Sequence, residues 1–313
     1  MKSFLLAASV VAVCAGAANA EWTPDGPVKM MIGFKAGGGA DTLARMLAED
    51  IQSQQGWNLL PVNVDGRGGA IMARELKDSP SDGMTIGVGI TDTFAYGHQA
   101  MRDPGYAPED FDFLATLAGT QMGIVAKSDR GWKDLGDVLE AAKAGEEISF
   151  GTMTPRLADG AYYIGKVNEV DFSIVSNFSG GQDVLNAINA GDIDIGWVAG
   201  PQKAGVVSGD LINLANGEHE TLEMSPDTRG LSDFGVDFGF GTTFLVFAPA
   251  GLSDEAKAAW SEAIIAAVDN PDSKVRSFID RLFVAKTLNA DEASAYVATE
   301  ADEALQLLDA TAE

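Results

Sequence analysis

The sequence predicts an α/β protein of two domains, and three observations carry that reading. Short apolar runs of strand length alternate along the chain with amphipathic patterns at helical spacing. A triple glycine, Gly37, Gly38 and Gly39, joins the first such run to the first helical pattern. Setting aside a leader over 1–20 leaves 313 − 20 = 293 residues. That is near the upper size of a single core, so two domains of roughly 100 to 170 residues are expected.

The elements follow in order. A strand is expected over 28–34, and behind it Leu43, Met46, Leu47 and Ile51 sit on one helical face. A second strand spans 59–64, and Gly68, Gly69 and Ala70 open a second helix that runs through Leu76. Pro80, Ser81, Asp82 and Gly83 form a turn signal before a third strand over 84–90. Two more strands are expected over 111–117 and 122–126. The rhythm then restarts. Leu135, Val138, Leu139 and Ala142 mark a helix, 148–151 a strand, and Val184, Leu185 and Ile188 another helix. Strands follow over 193–198 and 211–214, and a late apolar strand over 242–247 is ended by Pro249, Ala250 and Gly251. Two long helical patterns close the chain, one through Trp260, Ile264 and Val268, the other through Val297, Ala301, Leu305 and Leu308. There is no Pro/Ser-rich linker, no heptad run and no clear repeat, so the domains are expected to be joined by ordered segments.

Residues 1–20 read as a secretion signal: Lys2 is the positive start, 4–16 the apolar core, and Ala18, Asn19 and Ala20 the small-x-small cleavage pattern. The single cysteine, Cys14, lies inside it and follows Val13 rather than a small residue, so no lipid anchor is expected. The expectation is a periplasmic protein cleaved after Ala20, without disulfides. No later stretch is apolar enough for a membrane span.

The chain carries 46 acidic against 21 basic residues, a formal net charge of −25. Nucleic acid is excluded as a partner, because neutralising phosphates needs a basic surface. Any anion must be held by local donors working against the overall field. The triple glycine supplies such donors: it lets a ligand approach the main chain, and the helix behind it presents unpaired N–H groups and a positive dipole end. A tight turn without a ligand is the alternative. The Gly-Lys-Ser/Thr ending of a phosphate loop is missing.

Catalysis finds few parts. The two histidines, His98 and His219, lie far apart and lack a partner motif, and neither a nucleophile elbow nor a metal pair is present. No enzyme activity, metal or cofactor is expected, with a secreted glycosidase or lyase as the remaining enzymatic alternative.

The run from Phe34 through Arg45, then Asp82-Gly83-Met84-Thr85, Gly191-Asp192-Ile193-Asp194 and Phe247-Ala248-Pro249-Ala250-Gly251, resembles the substrate-binding proteins of tripartite tricarboxylate transporters, the Bug family. The match in order and spacing covers essentially the whole mature chain. It implies a two-lobed periplasmic binding protein of type II-like fold, with a ligand cleft between lobes joined by a crossover hinge. Domain 1 would take 21–124 plus 244–313, and domain 2 would take 125–243. Family members hold a carboxylate with backbone amides and hydroxyls from facing loops. Carried over, these are Phe34, Lys35, Ala36, Gly37, Gly38 and Gly39 on one lobe, with Thr91 and Thr93 beside them. On the other lobe they are Thr152, Met153, Thr154 and Arg156, then Phe178, Ser179 and Gly180.

The chain departs from the family pattern in its second lobe: Pro155, Arg156 and Gly160 replace a Ser/Gly-rich loop, Phe178-Ser179-Gly180 stands for Tyr-Lys-Gly, and Val198 occupies a commonly acidic position. Lys35 and Arg156, on facing loops, would suit the two ends of a dicarboxylate. Alternatively each points to solvent or pairs with Asp41 or Asp159. Trp197, Phe178, Tyr162 and Tyr163 would line the cleft or else belong to the core. Asp41 and Arg45 are expected to pair at i,i+4. The resemblance implies a monomeric receptor that takes a small organic di- or tricarboxylate to a membrane permease. A sensory protein that presents its ligand to a receptor kinase is the other non-enzymatic reading.

Overall fold

The computed structural model describes residues 22–312, so the secretion signal lies outside the described residues. In chain order the strands are β1 (Val28–Ile32), β2 (Leu59–Asn63), β3 (Thr85–Ile90), β4 (Phe111–Gly119), β5 (Met122–Lys127), β6 (Ile148–Gly151), β7 (Phe172–Val175), β8 (Ile195–Ala199), β9 (Leu211–Asn216), β10 (Thr243–Pro249) and β11 (Val284–Ala285). They form two sheets. The first has the order β11-β4-β10-β3-β1-β2, the second β7-β6-β8-β5-β9. In the first, β2, β1 and β3 pair in parallel and β10, β4 and β11 join antiparallel; in the second, β7, β6 and β8 pair in parallel and β5 and β9 join antiparallel.

The first sheet is covered on both faces, which is why β1, β3 and β10 are nearly continuous apolar runs. Helices Gly39–Gln55 and Asp254–Asp269 bury Leu43, Leu47, Ile51, Trp260 and Ile264 on one face. Met72 and Leu76 of Ala70–Lys77 cover the other with Phe94 and Phe247. The second sheet is packed likewise by Val138, Leu157, Ala161 and Ile164 on one side and by Val184, Leu185 and Ile188 on the other.

Two segments cross between the sheets. Thr120 and Gln121 link β4 to β5, and Thr242 leads back into β10. The crossings are tied together: Thr120 N donates to Thr242 O at 3.0 Å, and Thr242 N donates to Thr120 Oγ1 at 2.9 Å. A third connection is the 23-residue helix Ala290–Ala312, about 35 Å long at 1.5 Å per residue. Its Ala293 and Val297 enter the core beneath the first sheet, while Ala304 and Leu307 enter that of the second. The last helix thus joins the cores of both sheets. Among the described residues no helix is long and apolar enough to cross a membrane.

Several elements escape the sequence pattern. Pro155–Val167 is a helix that starts at a proline, where the missing N–H costs nothing, with Thr154 Oγ1 accepting from Leu157 N as its cap. Helix Lys274–Leu282 is short and highly charged, and β7 is a four-residue edge strand with alternating exposure.

Candidate ligand cleft

A cavity of about 430 Å³ lies between the two lobes. Three helices point their N-termini into it: Gly39–Gln55 from the first lobe, and Pro155–Val167 and Gly181–Ala190 from the second. Two of these ends are built alike. In the first, Gly37 N donates to Asp41 Oδ2 at 2.9 Å across the N-cap Gly38. In the second, Ser179 N donates to Asp183 Oδ2 at 3.2 Å across the N-cap Gly180. Among the described residues the N–H groups of Gly39, Ala40, Gly181 and Gln182 make no hydrogen bond, as first-turn amides do unless something binds them. Facing loops that each offer such amides, at the positive ends of aligned peptide dipoles, give the cavity donors suited to an anion.

The three loop glycines serve different ends. Gly37 has φ +82°, the left-handed region that favours glycine. At Gly39 a Cβ would stand 3.3 Å from the Phe283 ring, a tight contact that a side chain there could relieve only by shifting the ring. Gly38 has φ −77° and ψ 175°, open to any residue, and its nearest neighbour would be Lys35 O at 3.4 Å. The protein itself makes little demand for glycine there.

Asp41 is locked by its surroundings. Burial acts to raise its carboxyl, but the Gly37 N–H, the Asn63 amide and Arg45 outweigh that and hold it below the ordinary carboxylate value. The expected Arg45–Asp41 pair is present at 2.9 Å, and Asn63 Nδ2 also donates to Phe34 O at 2.9 Å, which ties the glycine loop to β2. Lys35 reaches across the cleft: its Nζ donates to Ser179 Oγ at 2.6 Å. Lys203 Nζ makes a second bridge, to Asp280 O at 3.1 Å.

Of the residues singled out from sequence, Phe34, Lys35, Ala36, Gly37, Gly38, Gly39, Met153, Thr154, Ser179 and Gly180 line the cavity. The others lie elsewhere. Arg156 is buried, 4% exposed, and does not face the cleft. Its Nη1 donates to Asp92 Oδ1 at 2.7 Å and to Gly241 O at 3.0 Å, its Nη2 to Gly239 O at 2.7 Å, and Glu300 is 3.8 Å away. Burial works against its charge, but the Asp92 and Glu300 carboxylates overcome that and raise its pKa. Asp159, the partner considered from sequence, instead accepts from Tyr96.

Trp197 is fully buried, stacked between Phe150 and Phe240, with Nε1 donating to Leu157 O at 3.0 Å. It is a core residue, as an apolar strand demands. Phe178 packs over Gly151 with Val184, Tyr163 packs on Phe238, and Tyr162 is half exposed. Thr91 Oγ1 and Thr93 Oγ1 are spent on Thr243 N or Thr242 Oγ1 and on Gly68 O, and Thr152 is wholly buried.

The sequence reading missed an apolar wall. Phe244, Phe278, Leu282 and Phe283 line the cleft from the first lobe and Met122, Leu157 and Pro201 from the second. Nothing local marks them, since each looks like an ordinary core position; only the meeting of the lobes brings them together. Behind the crossings lies Glu218, which accepts from Met122 N at 2.6 Å and Thr120 Oγ1 at 2.9 Å. Burial pushes its carboxyl up to about 7 against those two hydrogen bonds. Among the described residues no group of His, Cys, Asp or Glu is placed to hold a metal ion.

Two α/β lobes tied by paired crossings, with helix N-termini converging on the cavity between them, define a two-lobed binding protein. The chain matches the model of the tripartite tricarboxylate transporter family receptor over residues 43–310 and belongs to that family. It is 24% identical over 266 residues to a UPF0065 protein encoded in the gbd 5' region of Cupriavidus necator, covering 82% of this chain and 78% of that one. Among solved structures it resembles the periplasmic binding protein BugD, with 21% identity, a TM-score of 0.78, and coverage of 93% of this chain and 99% of that one. It also resembles MatC from Rhodopseudomonas palustris with bound malate (21%, TM-score 0.78, coverage 92% and 100%). A second R. palustris protein, solved with adipate, aligns at 18% identity and TM-score 0.81, covering 92% and 98%. At these identities the structures establish the fold.

Proposed function

We propose that this chain is a periplasmic receptor that captures a small organic carboxylate between its lobes and delivers it to the membrane permease of a tripartite tricarboxylate transporter. One observation carries the reading: amides of two similarly capped helix ends, one from each lobe, and the Lys35 ammonium converge on a single cavity. In a chain with a net charge of −25, such a cluster of donors is the feature suited to an anion. The malate and adipate held by its structural neighbours are both carboxylates, which supports the same class.

In this reading the amides of Gly39 and Gly181 grip the carboxylate, with Lys35 and the Ser179 and Thr154 hydroxyls beside them. Phe34, Ala36, Gly37, Gly38, Met153 and Gly180 shape the walls. The first lobe runs from 21 to the crossing at Thr120 and resumes at the crossing at Thr242, the second lies between them, the last helix packs on both, and the paired crossings are the hinge. The receptor works as a monomer, exported by a signal cleaved after Ala20. A ligand touching both lobes binds the closed state better than the open one, and that difference drives closure. A thermal-shift screen tests this directly, because a ligand that binds only the folded protein stabilises it by RT ln(1 + [L]/Kd). Stabilisation by organic acids and not by their amides is expected. Stabilisation by neutral or cationic solutes alone would remove the carboxylate assignment.

A further inference from the structure

Resting on that reading, we infer that the cleft takes a monocarboxylate with an extended apolar body, in preference to a di- or tricarboxylate. The first ground is charge. Among the residues lining the cavity Lys35 is the one cation, and it stands against Asp92 and Asp183. The lining offers no second cation for the far end of a dianion: Arg156 lies outside it, its guanidinium committed to Asp92, Gly239 O and Gly241 O. Freeing it would leave a buried carboxylate unpaired.

The second ground is the state of the hydroxyls at the hinge side of the cavity. Thr120 Oγ1 donates to Glu218 Oε1 and accepts from Thr242 N, while Thr242 Oγ1 pairs with Thr91 Oγ1 at 3.1 Å. Thr120 Oγ1 has no hydrogen left to donate, and the Thr242–Thr91 pair keeps one between them, a single hydroxyl donor for a second carboxylate. Asp92, which also lines the cavity, is a buried carboxyl already paired with Arg156 and offers a second carboxylate no donor.

The third ground is the apolar wall. The rings of Phe244 and Phe283 lie 4.9 Å apart and those of Phe278 and Phe283 5.9 Å apart, with Met122, Met153 and Leu157 across from them. Methionines adapt to ligands of varied shape, and an apolar body placed here is removed from water. A single carboxylate at the helix ends with a hydrocarbon body along this wall matches the donors at one side of the cavity and the apolar side chains at the other. A polyanion leaves at least one charge facing either hydrocarbon or carboxylate.

Calorimetric titration of the full-length mature protein with matched pairs tests this: hexanoate against adipate, octanoate against suberate, benzoate against terephthalate, with octanamide as the neutral control. The monocarboxylate is expected to bind at least tenfold more tightly within the pairs it can enter. Octanoate is expected to exceed hexanoate, at roughly fourfold per buried methylene. In Met153→Lys, which adds a cation to the wall, the preference should move at least tenfold toward the dicarboxylate. Dicarboxylates binding as tightly as their partners, or more tightly, overturn this inference and leave the carboxylate-receptor reading in place. Binding of octanamide with no binding of any acid overturns both, and so does the absence of binding across the whole panel.

Discussion

Replacing Arg156 with methionine separates a structural cation from a ligand-binding one. The change removes the partner of buried Asp92, leaves Gly239 O and Gly241 O without their donor, and takes a positive charge from beside Glu300. Breaking a buried ion pair from one side costs about 3–5 kcal/mol, because the remaining charge stays buried and uncompensated. For a protein of this size that corresponds to a fall in Tm on the order of 10 °C. Arg156→Met combined with Asp92→Asn removes the stranded charge and should recover a large part of the loss, a coupling that a double-mutant cycle reads directly. Calorimetric melting of wild type, both single variants and the double variant is the assay. An Arg156→Met protein that melts with the wild type and loses only ligand affinity would refute the reasoning and return Arg156 to the cleft.

Further outcomes follow from the same geometry. Lys35 is exposed and its bond to Ser179 is a surface contact; Lys35→Ala should leave Tm unchanged but weaken carboxylate binding by about 1–3 kcal/mol, as for a lost charge-assisted hydrogen bond, and unaltered affinity by calorimetry would place Lys35 outside the site. Gly38→Ala fits the backbone and should cost less than about 1 kcal/mol of stability, whereas a methyl group facing the ligand should reduce affinity more than tenfold; equal affinity would mean that the ligand does not approach Gly38. Burial pushes the Glu218 carboxyl from its ordinary 4.5 up to about 7, so the stability linked to its bound proton is fully present below 4.5 and is lost as pH rises through 7. The whole shift amounts to roughly 3 kcal/mol. Glu218→Gln keeps an acceptor for Met122 N and Thr120 Oγ1, so it should match wild type near pH 4.5 and exceed it at pH 8; chemical denaturation at the two pH values decides, and an equal difference at both contradicts the buried-carboxyl account.

Much of the fold was legible because strands buried on both faces must be apolar throughout, and β1, β3 and β10 show this without help from context. The glycine loop was legible because a positive φ at Gly37 restricts the residue type locally, whereas the contact at Gly39 comes from Phe283, far along the chain. What escaped depends on residues distant in sequence. Arg156 meets Asp92 across 64 positions and Gly239 O across 83, so its charge read as free when it was already committed. Trp197 stands on an apolar strand, which left cleft and core both open, and Phe150 and Phe240 closing around it place it in the core. The last helix shows one apolar face, yet that face serves two cores in succession, and periodicity says nothing about which core a given turn will meet. The apolar wall around Phe283 exists only where the lobes meet, so no window of sequence contains it.

The central claim is that a carboxylate sits between the two helix ends, and a crystal structure of the protein with the acid that stabilises it most in the thermal-shift screen tests it most directly. The account predicts carboxylate oxygens within hydrogen-bonding distance, about 2.7–3.2 Å, of the amide nitrogens at Gly39 and Gly181, with Lys35 Nζ alongside and the body of the ligand against Phe244 and Phe283. A carboxylate bound to Arg156, or one bound outside the cavity between the lobes, would contradict it.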